Sequence, residues 1–328
     1  MAIQYRLYGV GVDADRDLQA WTLRDRQYSL IIETTGPEGT DRKEIGAPDA
    51  ETNIAPHISF SVERTDGVAL NLAQVRLWNI SKDTAQRLLK AGAKIYLRAG
   101  YGDRSSLPLI FEGTVKQMVE TLSGADRIYT IEAVDGFQEF ANTFISASFV
   151  KGSTLYQMLT ELARQVGVPI LFSKAAEEHA KRATITKGYS FYGKTTIVFE
   201  QATTGYYVWR FESGVLIIKM LSENNEMQNV VYAAALTPLT GLIGMPERIY
   251  ESSVTYDENV ATDVAYTIMG YRVQFFMNGA LQINDPVYLE SREASGAFEI
   301  FKMTISGDNL GGDWTCTADL REYAPQGG

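Results

Sequence analysis

The sequence predicts a mainly β fold with an α+β insert: two similar β-barrel domains flanking a small α+β module. Three observations lead there. Residues 1–147 and 236–328 are dominated by segments of strand character, residues 148–235 switch to helical period, and three short blocks of the first region recur in order in the last. A chain of 328 residues is long enough for two or three cores of ordinary size.

In the first region, Ile95, Leu97 and Ala99 alternate with Lys94, Tyr96 and Arg98, the period of a half-buried strand. Segments 20–33, 56–65, 73–80, 109–121 and 127–134 are rich in β-branched and aromatic residues and read as further strands. Residues 34–54 carry Gly, Pro and charge throughout and show no apolar face, so they read as a long exposed loop. Ser81 is placed to cap a short helix whose face is Ala85, Leu88 and Leu89, with Gly92 at its end.

In the middle region Leu155, Met158, Leu159, Leu162, Ala163 and Val166 follow one helical stripe, preceded by Ser153 and followed by Gly167 and Pro169. A second helix is expected near 174–182, and 195–204 fits strand or helix. Residues 206–211 and 215–221 read as a hairpin around Glu212-Ser213-Gly214.

The last region repeats the first. Lys94 to Ala99 matches Pro286 to Ser291, Thr121 to Gly124 matches Thr304 to Gly307, and Tyr129 to Ala133 matches Trp314 to Ala318. Duplication would give one chain two barrels, and closing each sheet would remove edge strands. Three such chains in a ring present six similar barrels, so the ring suits a six-fold partner on one side and a three-fold partner on the other.

Composition excludes several chemistries. The formal charge is −10, which disfavours a non-specific duplex-DNA binder. It is unevenly spread: net −4 over 1–147, +2 over 148–235 and −8 over 236–328. A single cysteine, Cys316, and two histidines, His57 and His179, leave no disulfide framework and too little for a metal cluster or a triad. No signal-peptide run opens the chain, and the longest apolar stretch, Val230 to Met245, is too short and too polar for a membrane span. A protein made in the cytoplasm is expected.

Gly188 to Thr195 matches the phosphate-binding pattern G-x-x-x-x-G-K-[ST]. Three aromatics in the loop, and the lack of a following strand that ends in a magnesium-binding Asp, mark the match as fortuitous. Glu177-Glu178-His179 reads as a solvated helix face. No catalytic, cofactor or metal residue is assigned.

Val75-Arg76-Leu77-Trp78-Asn79-Ile80-Ser81, then Ile95 to Asp103 with Gly100-Tyr101-Gly102, then Ile110-Phe111-Glu112-Gly113, form a series. Downstream stand Thr240-Gly241-Leu242-Ile243-Gly244-Met245-Pro246, Asp285 to Leu289, Gly296 to Ile300, Gly307-Asp308 and Gly311 to Trp314. In order and spacing this series resembles the baseplate hub proteins of contractile-tailed phages and related prophage tails. Trp78, Asn79, Ser81, Gly100, Tyr101, Gly102, Phe111, Gly113, Gly241, Pro246, Gly307, Asp308 and Trp314 carry the resemblance as structural residues. One departure is Ile305-Ser306, where members of that family often have a His.

The resemblance implies tube-type barrels in a homotrimeric, pseudo-six-fold ring within the virion's baseplate, assembled in the host cytoplasm. It implies contacts with the tail tube protein and the central spike, and with tape-measure and wedge proteins. DNA would cross the lumen without sequence-specific binding, past acidic walls contributed in part by 236–328. Two alternatives remain: the equivalent hub of a phage-like secretion or bacteriocin particle, and a tail-associated hydrolase or glycan-binding component.

Overall fold

The computed structural model describes residues 26–37, 39–48, 55–66, 70–136, 143–212, 214–220, 233–257 and 262–322. Strands predominate in it. The first region forms β1 (Arg26–Gly36), β2 (Gly39–Ile45), β3 (Ile58–Thr65), β4 (Leu72–Trp78), α1 (Lys82–Leu88), β5 (Lys94–Tyr101), β6 (Leu109–Ser123) and β7 (Asp126–Val134). The expected strands are all there; the part of segment 20–33 before Arg26 lies outside the described residues.

Two expectations for this region are corrected. Of the loop expected over 34–54, residues 34–36 and 39–45 are strand, and 38 and 49–54 lie outside the described residues. β1 and β2 pair as a hairpin from Leu30–Ile45 to Gly36–Gly39, and only Ile45 of β2 is buried. β2 is exposed on both faces before Ile45 and has no apolar alternation, so its sequence looks like loop, whereas Leu30, Ile32 and Thr34 of β1 are buried. In α1, Ser81 accepts from the Thr84 N–H as expected, but the helix ends at Leu88 and Leu89 is exposed.

The middle region forms β8 (Phe144–Phe149), α2 (Leu155–Val166), β9 (Ile170–Phe172), α3 (Lys174–Arg182), β10 (Tyr189–Lys194), α4 (Thr195–Thr203), β11 (Tyr207–Glu212) and β12 (Val215–Met220). Thr154, not Ser153, caps α2, in a reciprocal capping box with Gln157, and Gly167 ends it at φ 81°. The α2 stripe packs on Phe199 and Trp209 in a hydrophobic cluster confined to this region apart from partly buried Leu70. Thr195 to Thr203 is helical although its β-branched start favours strand. Val198 and Phe199 are fully buried there, and the Thr195 hydroxyl donates to the Thr143 carbonyl at 2.9 Å, so packing overrides propensity. His179 is not simply solvated: its Nδ1 lies 2.8 Å from the Tyr207 hydroxyl.

The last region forms β13 (Ala234–Leu236), β14 (Leu242–Asp257), β15 (Thr262–Phe276), β16 (Pro286–Glu290), β17 (Ser295–Asp308) and β18 (Trp314–Glu322). It shares one 13-stranded sheet with the first region, ordered β14-β15-β18-β17-β3-β4-β7-β6-β5-β1-β2, with β16 also on β17 and β13 on β16. One hydrophobic cluster runs through both regions, from Tyr28 and Leu30 to Ala318 and Leu320.

Within that sheet the same strand order occurs twice. β4-β7-β6-β5 in the first region corresponds to β15-β18-β17-β16 in the last, all antiparallel. Each long strand has a bulge at the equivalent place, Lys116 in β6 and Phe301 in β17. Anchored there, Lys94 corresponds to Pro286 as the sequence blocks suggest. Thr304, however, corresponds to Val119 and Cys316 to Tyr129, a slip of two residues from the block alignment. The copies differ at the rim, where β1 is antiparallel to β5 but β13 is parallel to β16.

A Cβ at Gly270 would sit 1.7 Å from the Leu320 carbonyl oxygen, inside the β15–β18 ladder. Gly270→Ala is therefore expected to lower unfolding stability by about 1–3 kcal/mol, and Thr154→Ala by about 1 kcal/mol through loss of the cap. Denaturant titration of each variant measures both.

Candidate functional site

Many of the residues that carry the resemblance meet at one seam, where β17 and β18 lie against β3 and β5. Trp314 is 2% exposed, and its indole Nε1 donates to the Gly100 carbonyl at 3.3 Å. The Tyr101 hydroxyl donates to the Trp314 carbonyl at 3.3 Å, and burial pushes that phenol up to about 12. Phe60 meets Trp314 edge-on, with centroids 5.4 Å apart, and both rings close over Gly307, where a Cβ would stand 2.4 Å from Phe60. Asp308 ends β17 by accepting from the Leu310 and Gly311 N–H groups, and both its oxygens lie 3.2 Å from His57 Nε2. His57 in turn stacks on Trp78 at 3.8 Å, and Arg26 donates to the Asp308 carbonyl at 2.8 Å.

The remaining resemblance residues build turns and strand packing away from this point. Asn79 takes the left-handed conformation at φ 53°, and its amide pairs with Asp126 and the Arg127 N–H, closing β4 onto the β6–β7 hairpin. Gly102 turns the chain at φ 82°, and Ser81 caps α1. Phe111 is buried and folds over Gly113, where a Cβ would lie 2.6 Å from its ring. At Gly241 (φ 105°) an added Cβ would stand 2.8 Å from the Phe276 ring, and Pro246 lies in the irregular stretch of β14 between Ile243 and Glu247. Within the Gly188 to Thr195 segment, Tyr189–Lys194 is extended as β10 and paired with β8, and Thr195 opens α4. The segment's backbone N–H groups therefore do not converge as a phosphate cradle requires.

A second, polar junction was not singled out from the sequence. Arg64 is 5% exposed and donates to the carbonyls of Leu281, Leu109 and Ile110 and to Gln282, tying β3 to β6 and to the loop before β16. Burial pulls its pKa below the ordinary guanidinium value. Arg321 bonds Asp66 at 2.6 Å, Asn284 at 3.1 Å and Glu299. The β11 end of the middle region reaches the same place: Asn71 donates to the Phe211 carbonyl, and Arg210 bonds Glu212 at 3.1 Å. Burial raises the carboxyl pKa values of Asp285 and Asp66. The alternation Phe60, Val62, Arg64 already places the arginine inward; its partners are distant in sequence.

Several strand edges lack a partner among the described residues; β2, polar and exposed before Ile45, pairs only with β1, and β13 only with β16. Residues 117–123 of β6 pair only with β7, and β14 pairs only with β15. The β6 and β14 edges show apolar side chains: Val119, Leu122, Met245 and Tyr250 are exposed. Among the described residues no cluster of three His, Cys, Asp or Glu could hold a metal, and no helix is long and apolar enough to cross a membrane. Burial lifts the Cys316 thiol to about 12, which makes it unreactive.

Trp314→Phe removes the indole donor from the Gly100 carbonyl and part of the seam's volume, and about 1–3 kcal/mol of stability is expected to go with it. Asp285 has a sign that can be tested. Its native pKa is raised, so the native state binds more protons and stability falls as pH climbs from the unfolded value to the native one. Asp285→Asn should therefore raise the melting temperature at neutral pH, and the gain should vanish below the unfolded carboxyl pKa.

No family model and no curated protein matches the sequence. Solved structures do match the fold. The 43 kDa tail protein of prophage MuSo2 from Shewanella oneidensis superposes with a TM-score of 0.57 at 9% identity, over 90% of this chain and 96% of that one. A tail protein from Neisseria meningitidis MC58 gives 0.56 at 10% identity, over 90% and 97%. The E. coli c3393 protein gives 0.54 at 11% identity, over 82% and 74%. That protein is described as a type VI secretion component with structural similarity to the T4 bacteriophage tail proteins gp27 and gp5. The seam-joined β sheet and its inserted module thus form a fold shared with prophage tail proteins and with a component of the type VI secretion system.

Proposed function

We propose that the chain is a structural baseplate hub of a contractile phage tail, adapting a six-fold tail tube to a three-fold spike. The observation that carries this reading is the strand order β4-β7-β6-β5 and its second copy β15-β18-β17-β16 in one chain. Two equivalent units per chain turn a trimer into a ring of six, which is the geometry such an adaptor needs. Similarity to prophage tail proteins over nine-tenths of this chain supports it.

In this reading residues 1–147 and 236–328 are the two tube-type barrel domains, and 148–235 is the module inserted between them. The homotrimer takes the tail tube protein on one face and the central spike on the other, with tape-measure and wedge proteins as further contacts. DNA crosses the lumen without sequence-specific binding. The net −8 of residues 236–328 suits a wall past which a duplex slides. The role is non-enzymatic. Similarity to the E. coli type VI secretion component favours one second reading, the same hub in a phage-like secretion particle.

Sedimentation mass and class-averaged electron micrographs of the purified protein, with and without its spike, test the proposal. Three-fold rings with six lobes around a hole are expected. Another symmetry, or chains that stay monomeric beside the spike, would overturn it.

A further inference from the structure

The two copies of the strand order can be aligned residue by residue through their bulges, and one neighbour is lacking in the first copy. β17 carries β16 along one edge up to Glu299, and on the same edge carries β3 from Lys302 to Asp308. β6 carries β5 on its edge up to Thr114, but beyond the bulge at Lys116 that edge has no strand among the described residues. The strand of the last region that corresponds to β3 is β14. It lies beside β15 as β3 lies beside β4, and β15 lies beside β18 as β4 lies beside β7. β14 ends the sheet and lacks a β17-like neighbour among the described residues. One junction is thus made within the chain, and the two halves of a second are without a partner among the described residues.

We propose that the β6 edge of one copy pairs antiparallel with the β14 edge of the next, head to tail, in the register of the β17–β3 ladder. This rests on the internal duplication behind the proposed function and names the residues through which the ring is held. In the ladder within the chain, Met303 faces Arg64, Thr304 faces Glu63, Ile305 faces Val62 and Ser306 faces Ser61. Carried through the bulges, these pairs become Met118 with Tyr250, Val119 with Ile249, Glu120 with Arg248 and Thr121 with Glu247.

The residues suit that register. Val119 is 45% exposed and Tyr250 69%, and Leu122 and Met245, at 68% and 59%, flank the same stretch. On one face the pairing sets Met118 beside Tyr250 with Leu122 next along, and on the other it sets Val119 beside Ile249, so apolar groups are covered on both faces. It sets Glu120, whose carboxylate also accepts from Arg127 of its own chain, opposite Arg248, a cross-strand pair of opposite sign. A slip of two residues that sets Glu120 against Tyr250 would put Leu122 against Arg248 and lose both matches. Unpaired backbone N–H and C=O groups on each edge supply the ladder itself.

Zero-length disulfide trapping tests the pairing in the full chain. Directly opposed residues have Cα atoms about 4.5–5.5 Å apart, within disulfide reach. Val119→Cys and Ile249→Cys chains, mixed and oxidised, should give cross-linked dimers on non-reducing gels. One chain carrying both substitutions should give covalently closed oligomers, while the mismatched pair Val119→Cys and Ile243→Cys stays uncross-linked. Cys316 is fully buried, and a Cys316→Ser background removes it from account. Both charged residues are exposed, so Glu120→Arg should weaken association about tenfold without unfolding the chain, and adding Arg248→Glu should restore it. Oligomeric mass without the 119–249 cross-link would overturn this pairing and leave the hub reading standing. Monomeric mass at every concentration, with the spike present or absent, would overturn both.

Discussion

Everything in the sheet depends on β17 being paired along both edges. β18 holds one edge; β16 and then β3 share the other, with the bulge at Phe301 marking the change of partner. The ladder from Lys302 to Asp308 is what joins residues from the two ends of the chain, and without it the first and last regions would each present an open strand. The seam residues finish that ladder. Gly307 lets Phe60 and Trp314 close over the backbone, and Asp308 stops the strand and meets His57. At the other end of the ladder Arg64 and Arg321 supply donors to carbonyls and carboxylates that the change of partner would otherwise leave buried and unmet.

The two contacts between regions differ in kind. The seam is aromatic and closely packed, which favours a fixed geometry. The middle region instead keeps its own cluster around α2, Phe199 and Trp209, and reaches the sheet largely through a polar patch that includes Asn71, Arg210 and Glu212. An interface of that composition resembles contacts between domains that move relative to one another. Burial of Asp66 and Asp285 near that patch raises their pKa values, so charge there is held at a cost and its balance depends on pH.

Local pattern revealed the elements but not their partners. Alternation located β3 to β7, and the stripe from Leu155 to Val166 located α2, because both periods are properties of neighbouring residues. The β2 arm of the hairpin leaves no trace in the sequence because its residues before Ile45 are exposed on both faces. Block matching aligned Lys94 with Pro286 correctly but slipped two residues at Thr121 and Tyr129. A slip of two keeps every side chain on its face, so nothing in a strand's sequence resists it; the bulges that fix the register become visible only in the ladder. Trp314, Gly307 and Asp308 stood out in sequence, yet their convergence with Gly100 and Tyr101 across about two hundred residues did not. Arg64 and His57 were passed over for the same reason.

In the proposed ring, the composition of the two junctions explains why one forms inside the chain and the other is kept for a neighbour. Inside the chain the central pair is Ile305 with Val62, both fully buried, and its association is driven by removal of apolar surface. At the equivalent positions the open edges carry Glu120 and Arg248. A charge at the middle of an exposed edge opposes pairing with another copy of the same edge, where carboxylate would approach carboxylate or guanidinium guanidinium. Only the unlike edge offers the opposite sign, so the substitution of Ile and Val by Glu and Arg leaves the head-to-tail contact favourable while disfavouring the two like-with-like contacts. A head-to-tail contact repeats indefinitely unless its rotation closes. In the proposed ring, the ladder between β17 and β3 sets that rotation for the first junction, and a second junction of the same register would inherit it, so the angle at which the fold joins its own halves would also decide how many chains complete the ring.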